Sequence, residues 1–250
     1  MNASVLRQHN KLLAAMPPDV CARLEKSLCL VELPLGKVLY EAGEAMRYVY
    51  FPTDAIVSLL YVMENGASAE ISVVGNEGVV GVSVFMGGGS TPSRAVVQSG
   101  GQGFRLPVSC LKSEFDQHSE MMLILLRYTQ ALITQMAQTA VCNRHHTIDQ
   151  QLCRWLLLSL DRLPSNRLSM TQELIANMLG VRREGVTEAA GKLQKLEVIE
   201  YSRGRITILD RPKLEALCCE CYQVVKDETD RLLPEARPTP NESIARSPVS

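Results

Sequence analysis

The chain of 250 residues lacks the features that would take it into a membrane or out of the cell. No uninterrupted apolar run approaches the roughly 20 residues that a membrane-spanning helix needs. The first residues, MNASVLRQHNKLL, lack the apolar core of a secretory signal. We therefore expect a cytoplasmic protein, in which most of the eight cysteines are reduced thiols that fill the core.

Patterns that would indicate catalysis are also missing. Residues 31–106 contain no histidine, and no Ser-His-Asp, Cys-His or phosphate-binding loop pattern stands out. A cupin-like metal enzyme would need several imidazole ligands in that segment, so this alternative is disfavoured. The sequence predicts no enzyme activity, no catalytic residue, no cofactor and no metal ion.

The net charge is only −1 at neutral pH, but its distribution along the chain is uneven. Residues 144–213 contain 12 Lys and Arg against 8 Asp and Glu, a net of +4, whereas the remainder carries a net of −5. A basic segment in an otherwise acidic chain favours phosphate binding at that segment.

Residues 172–191, QELIANMLGVRREGVTEAAG, have the offsets of a helix-turn-helix unit. Ala176 is the small residue where two helices would cross, and Gly180 suits the tight turn between them. The inward apolar positions are Ile175, Leu179, Val181, Val186 and Ala189. The outward face of the second helix carries Arg182, Arg183, Glu184, Thr187, Glu188 and Lys192. A solvated helical hairpin would share such a charged face, but it would not require all of these offsets together.

Two short runs of branched residues follow the second helix, at residues 198–201 and 205–209. They predict a β-hairpin joined at residues 202–204, the wing of a winged helix. Arg203 and Arg205 would lie at its tip, where they can contact phosphates beside the groove.

The spacing of apolar residues divides the rest of the chain into helical and strand-like segments. A hydrophobic content of 46% is enough for the cores of two modest domains. Residues 4–30 indicate two short helices, and residues 31–106 indicate many short strands separated by glycines, typical of an antiparallel roll. We expect a sensing roll at 1–112, a long helix at 113–145 and a DNA-binding domain at 146–233. Residues 234–250 are rich in Pro and Ser and are predicted to be disordered.

The long helix has apolar residues at alternating spacings of four and three, which favours pairing with a second copy of itself. The alternative is that this stripe packs on the chain's own roll. The candidate dimerisation residues are Met122, Leu126, Ile133, Met136 and Ala140, with Thr129 and Asn143 in the same stripe.

The C-terminal part of the chain predicts one helix at 147–163 and another at 212–233. Cys218, Cys219 and Cys221 would lie on the second helix, where neighbouring side chains point in different directions. A metal or redox role for them is the alternative to a structural one, but no fourth ligand is evident. His145 and His146 are expected to be exposed at the end of the long helix rather than haem ligands.

The chain resembles the Crp/Fnr superfamily of bacterial transcription regulators. The resemblance covers residues 12–209 and is most specific at LGVRREGVTEAAGKLQ, LPLGKVLYEAGE, VYFP and VGNEGVVG. It implies an α+β fold with an N-terminal antiparallel β-roll like that of cyclic-nucleotide-binding domains, a long dimerisation helix and a C-terminal winged helix-turn-helix. It also implies a homodimer that binds double-stranded DNA and senses a small molecule, with RNA polymerase as a further candidate partner.

The resemblance implies an effector site at Gly81, Val82, Ser93 and Arg94, but with two departures. Cyclic-nucleotide members have a Gly-Glu pair for the ribose and an Arg followed by Ser or Thr for the phosphate, whereas this chain has Gly81-Val82 and Ser93-Arg94. Valine cannot accept the ribose hydrogen bond. The chain also lacks the N-terminal cysteine cluster of the iron–sulfur members, having only Cys21 and Cys29 there.

In the second helix, Arg183 and Glu184 match the family's base-reading Arg and Glu. Thr187 and Glu188 complete the candidate base-reading set, and Glu188 replaces a second Arg of the cyclic-AMP-responsive members. Arg182, Lys192, Arg203 and Arg205 are assigned to phosphates. We therefore interpret the chain as a sequence-specific DNA-binding regulator; the alternative is a ligand-binding adaptor whose winged helix contacts protein.

Overall fold

The computed structural model describes residues 9–117 and 119–233. The helices are α1 Lys11–Ala15, α2 Pro18–Glu25, α3 Val108–Gln117, α4 Ser119–His145, α5 Ile148–Leu160, α6 Gln172–Leu179, α7 Arg183–Lys195, α8 Arg211–Leu217 and α9 Cys221–Leu232. The strands are β1 Cys29–Leu33, β2 Val38–Tyr40, β3 Tyr48–Pro52, β4 Ile56–Val62, β5 Ser68–Val74, β6 Arg94–Ser99, β7 Gly101–Pro107, β8 Arg167–Ser169, β9 Ile199–Ser202 and β10 Arg205–Ile208. None of these helices combines the length and apolarity that crossing a bilayer requires.

The N-terminal roll is built from two antiparallel sheets, one ordered β1-β7-β3 and the other β2-β6-β4-β5. Their inner faces, together with α1, α2 and one face of α4, enclose a single apolar core. The expected antiparallel roll and the α+β class are confirmed. The predicted disordered tail lies outside the described residues.

The long helix differs from the prediction at its start. Residues 108–117 form the separate helix α3, so α4 begins at Ser119 rather than near residue 113. One face of α4 packs on the roll, and its buried residues include Met121, Leu125 and Tyr128. These inward residues recur at spacings of four and three, which is the pattern that had suggested self-pairing. Within the predicted seam itself, Thr129 and Met136 pack inside the chain, while the dimer stays a prediction.

The predicted dimerisation residues consequently fall into two groups. Leu126 and Ile133 are 45% and 48% exposed, and Ala140 is also exposed. Met122 and Met136 are half-buried, with Met136 packed against the core of the roll. Thr129 is buried within the chain, and its hydroxyl donates to the Leu125 carbonyl at 2.9 Å. The stripe left on the outer face of α4 consists of Leu123, Leu126, Ile133, Ala137, Ala140 and Val141.

The C-terminal domain contains one more strand and one more helix than the sequence predicted. Its sheet has the order β8-β10-β9, and β8 was not foreseen. The predicted helix at 212–233 is wrong, because α8 ends at Leu217 and α9 starts only at Cys221. The predicted helix at 147–163 is shorter, starting at a capping box formed by Thr147 and Gln150.

The two domains share a core. The outer face of the second sheet of the roll, through Ile56, Leu60 and Val73, packs into the same apolar cluster as α5, α6 and α7. This explains why β4 reads as a nearly continuous apolar run, since both of its faces are buried. Gln135 of α4 covers the free edge of β5: its amide oxygen accepts from the Val73 N–H at 2.6 Å and its amide nitrogen donates to the Val73 carbonyl at 3.3 Å.

A buried polar chain crosses this shared core. The Glu70 carboxyl of β5 meets the Ser58 hydroxyl and accepts from Trp155 Nε1 of α5 at 3.1 Å. The Ser58 hydroxyl also lies 2.9 Å from Gln98 Oε1, and Gln98 Nε2 donates to the Ser159 hydroxyl at 3.3 Å. Because unsatisfied polar groups are costly in a core, these bonds fix α5 in one position on the sheet.

The hydrogen bonds around Ser58 favour a protonated Glu70. Ser58 has one hydroxyl proton but two acceptors beside it, Glu70 and Gln98. Both contacts become hydrogen bonds if Glu70 keeps its own proton and donates it to Ser58, which then donates to Gln98. Burial acts in the same direction and raises the pKa of Glu70 to about 7.

The raised pKa predicts a pH dependence of stability. The folded state holds the Glu70 proton more tightly than the unfolded chain does. The stability that this proton contributes is fully present below the unfolded pKa and is lost as pH rises through about 7. In denaturant unfolding, the free energy of unfolding of wild type should fall by up to about 3 kcal/mol as pH rises, and Glu70→Gln should remove this fall. Glu64→Gln, at an exposed turn, is the control. A wild-type slope that persists in Glu70→Gln would show that Glu70 is not the titrating group.

Candidate nucleic-acid interface and effector pocket

The helix-turn-helix is formed by α6 and α7 and has a defined start and turn. The Thr171 side chain caps α6 by accepting from the Leu174 N–H at 3.3 Å. Gly180 ends α6 with φ of +66°, a conformation that glycine adopts without strain. Ala176 and Val186 are buried between the helices, 3% and 0% exposed. This local packing leaves the opposite face of α7 in solvent.

The outward face of α7 carries the side chains predicted to read and position DNA. The exposed residues are Arg182, Arg183, Glu184, Thr187, Glu188 and Lys192. The Thr187 hydroxyl lies 2.8 Å from Gln172 Oε1 and 3.0 Å from the Arg183 carbonyl, so it is tied to the helix pair. The ammonium of Lys192 lies 3.1 Å from Glu188 and 3.0 Å from Asp149. Exposed ion pairs of this kind are weak, so Lys192 can exchange them for a phosphate.

Close packing of α7 on α5 depends on Gly185, which sequence reasoning had not singled out. A Cβ atom at Gly185 would lie 2.7 Å from the Ile148 side chain. A larger residue would therefore require the tip of the Ile148 side chain, or α7 itself, to shift. The alternation of long polar and small residues along α7 was the available signal.

The wing is a tight hairpin with a basic exposed face. Its turn is Arg203–Gly204, with φ of +50° and +75°, which matches the two-residue turns that suit the twist of β-hairpins. Arg203 and Arg205 are exposed at and beside this turn. Arg167 of β8 is also exposed and pairs in register with Thr207, two residues along β10 from Arg205. Arg167 was missed; its alternation with the buried Leu168 and Met170 could have indicated the strand.

The roll separates the candidate effector residues. Ser93 is 5% exposed, and its hydroxyl lies 3.1 Å from Thr91 Oγ1. The next residue, Arg94, is half-buried, and its Nε forms an ion pair with Glu41 at 2.9 Å. Ser93 lies just before β6, which begins at Arg94, and the carboxylate of Glu41 occupies the guanidinium of Arg94.

The other half of the candidate pocket is apolar. Gly81 adopts φ of +112°, and Val82 packs partly buried against the core. Tyr128 of α4 lies against Gly78, where an added Cβ would lie 2.3 Å from the tyrosine ring. Burial raises the pKa of Tyr128, so its hydroxyl is neutral. The roll therefore offers an apolar interior and no acid at the ribose position.

Two family profiles match the chain in succession. Residues 30–118 match the cyclic nucleotide-binding domain, and residues 150–217 match the Crp-like helix-turn-helix domain. A roll of this kind followed by such a helix-turn-helix defines a DNA-binding transcriptional regulator. The chain belongs to the Crp/Fnr family.

Curated and solved relatives share this architecture. The chain is 23% identical over 185 residues to the global nitrogen regulator of Synechococcus elongatus, covering 70% of this chain and 83% of the relative. A Crp/Fnr-family regulator from Eubacterium rectale superposes with a TM-score of 0.65 at 17% identity, covering 82% of this chain and 96% of that one. FixK2 from Bradyrhizobium japonicum superposes with a TM-score of 0.64 at 16% identity, covering 77% of this chain and 98% of that one. These structural likenesses concern the fold.

The geometry of the pocket predicts that cyclic AMP and cyclic GMP bind weakly. Val82 cannot accept the ribose hydrogen bond, and the guanidinium of Arg94 is paired with Glu41. Each lost contact is worth about 1.5 to 3 kcal/mol, so affinity should fall by roughly two to four orders of magnitude relative to a complete cassette. Calorimetric titration measures this directly, with 5′-AMP as the non-cyclic control. Micromolar binding of either cyclic nucleotide, accompanied by a rise in DNA affinity, would contradict it.

Proposed function

We propose that the protein acts as a homodimer on an inverted-repeat DNA operator and that a small molecule other than cyclic AMP or cyclic GMP acts through its roll. The observation that carries this proposal is the outward face of α7, where long polar side chains project from a helix whose inner face is fixed. An α-helix with such a face fits the major groove of DNA. RNA polymerase is a further proposed partner, because a DNA-bound regulator acts by assisting or blocking it.

The side chains of α7 suit particular base pairs. The guanidinium of Arg183 can donate two hydrogen bonds to guanine O6 and N7, and the carboxylate of Glu184 can accept from cytosine N4. Both are exposed on the first turn of α7. Glu188, one turn further on, repels phosphate and cannot pair with guanine acceptors. We therefore expect G·C pairs in each half-site.

The basic residues around α7 suit phosphates. Arg182 and Lys192 lie at the two ends of the outward face, and Arg203 and Arg205 lie on the wing. Arg167 extends the same basic surface onto β8. Contacts of this kind set the register of the protein on DNA without reading sequence.

A dimer is supported by the outer stripe of α4. Leu123 and Ile133 are each 48% exposed and Leu126 is 45% exposed, on a helix whose opposite face is already buried. These residues repeat at helical spacing, so a second copy of α4 could cover all of them at once. Two α7 helices related by a two-fold axis would then reach half-sites about 10 base pairs apart.

Replacing a residue of this stripe with an acid should dissociate the dimer. Ile133→Asp would bury a carboxylate between two helices, at a cost of several kcal/mol. Sedimentation should then show monomer, and DNA affinity should fall with it. Arg127→Asp places the same acid on α4 outside the stripe and should stay dimeric. A dimeric Ile133→Asp protein would remove this stripe from the interface.

Two arginine variants should distinguish the residues that read bases from those that contact phosphates. Arg183→Ala should cost about 1 to 3 kcal/mol on the selected operator and relax the preference at one symmetric pair of positions. Arg203→Ala should weaken binding to all sequences alike and reduce its salt dependence. Selection of binding sites from random DNA with wild type and both variants compares the two effects. If Arg183→Ala selects an unchanged motif, α7 is not the helix that reads the bases.

A further inference from the structure

Four potential metal ligands meet where α4 ends. Cys142 lies in the last turn of α4 and His146 directly follows that helix, while Cys219 lies between α8 and α9 and Cys221 begins α9. One ligand atom from each residue lies within 4.8 Å of the others. We call these four residues the cysteine–histidine cluster. Its three cysteines are buried and the His146 side chain is 14% exposed.

The break between α8 and α9 creates the cluster. On a continuous helix, Cys219 and Cys221 would project about 200° apart. In the structure Cys218 adopts an extended conformation, and the thiols of Cys219 and Cys221 both turn towards the end of α4. Two ligands that the sequence did not reveal are supplied by the helix-spaced pair Cys142 and His146, since residues four apart share a helix face.

The spacing inside the cluster fits one tetrahedral ion. With about 2.3 Å from zinc to sulfur and about 2.1 Å to nitrogen, neighbouring sulfurs should lie about 3.8 Å apart and sulfur and nitrogen about 3.6 Å apart. Cys142 Sγ and Cys219 Sγ are 3.6 Å apart, and Cys221 Sγ is 3.6 Å from His146 Nδ1. The cluster therefore matches the three-cysteine, one-histidine set of closed zinc sites.

A carboxylate beside the cluster suits a metal-bound histidine. His146 Nε2 lies 3.4 Å from a carboxylate oxygen of Glu220, so the ring can donate to Glu220 while Nδ1 faces the cysteines. A metal-bound histidine usually has such a carboxylate partner, which fixes its tautomer and orientation.

A buried cation lies beside the same cluster. Arg154 is 6% exposed and interacts electrostatically with Cys142 and Cys221. Its Nε has no hydrogen-bond partner among the residues that the structure describes. A divalent ion held by three thiolates and a neutral histidine carries a net charge of −1, which the Arg154 guanidinium would offset.

We propose that the cysteine–histidine cluster binds one Zn²⁺ ion as a closed structural site. The ion would join the end of α4 to α8 and α9 at the point where the chain enters the DNA-binding domain. On binding, the three thiols lose their protons to solvent, the neutral histidine donates a lone pair, and no redox partner is needed. The ligands lie too close together to span two irons of a cluster, and four protein ligands leave no open position for catalysis. The inference does not depend on DNA binding.

Metal analysis of the full-length chain, purified under reducing conditions, tests the proposal with adjacent residues as controls. Wild type, Cys218→Ser and His145→Asn should each hold about one zinc ion per chain, whereas Cys219→Ser and His146→Asn should hold about tenfold less. Cys218 and His145 match their neighbours in residue type but lie outside the cluster. Zinc absent from wild type, or retained by both cluster variants, would refute the site.

A second measurement uses wild-type protein alone, so it does not depend on whether the variants fold. Wild-type protein stripped of metal and titrated with Co²⁺ should show the visible bands of tetrahedral cobalt and a thiolate-to-cobalt charge-transfer band, saturating at about one ion per chain. Octahedral cobalt spectra would contradict the proposal. So would iron with acid-labile sulfide in the purified protein. A disulfide between Cys142 and Cys219, found after alkylation of freshly lysed cells, would identify a redox pair instead.

Discussion

The arrangement of the molecule depends on how α5 docks against the outer face of the roll. Apolar burial brings the two surfaces together, but it is non-directional and would allow α5 to slide. The polar chain from Glu70 through Ser58 and Gln98 to α5 removes that freedom, because only one register satisfies all of its members. Trp155 adds a bond to Glu70 from the same helix. Ile148 of α5 packs against Gly185 of α7, so the position of α5 also bears on that of α7.

The sequence predicted the features that local physics determines. Glycine in the turn of the helix-turn-helix, an Arg-Gly turn in the wing and short strands between glycines all follow from backbone preferences within a few residues. The reversed order of Ser93 and Arg94 was also visible in the sequence itself. These parts of the fold needed no knowledge of distant contacts.

What sequence reasoning missed depends on contacts between distant segments. The sequence could not decide which stripe of α4 is buried within the chain, because its inward and outward stripes repeat with almost the same spacing and only the roll determines which one packs inside. The break at Cys218 and the contact of Cys219 with Cys142, 77 residues away, were equally hidden. One local signal was available: Cys218 and Cys221 have C-x-x-C spacing, although the cluster uses Cys219 in place of Cys218.

The contacts between the domains also restrict how a signal in the roll can reach DNA. The turn of the helix-turn-helix lies against β5, where a Cβ at Gly180 would sit 3.4 Å from Ala69, and Arg162 forms a buried ion pair with Glu77 at 2.8 Å. A ligand shifts a conformational equilibrium only by binding two states unequally. An effector that changes DNA affinity must therefore favour an arrangement in which these contacts, or the Tyr128 contact with Gly78, differ from those seen here. Binding that leaves β5, α4 and the contacts of β4 and β6 with α5 unchanged would leave the docking of α5 and α7 as it is.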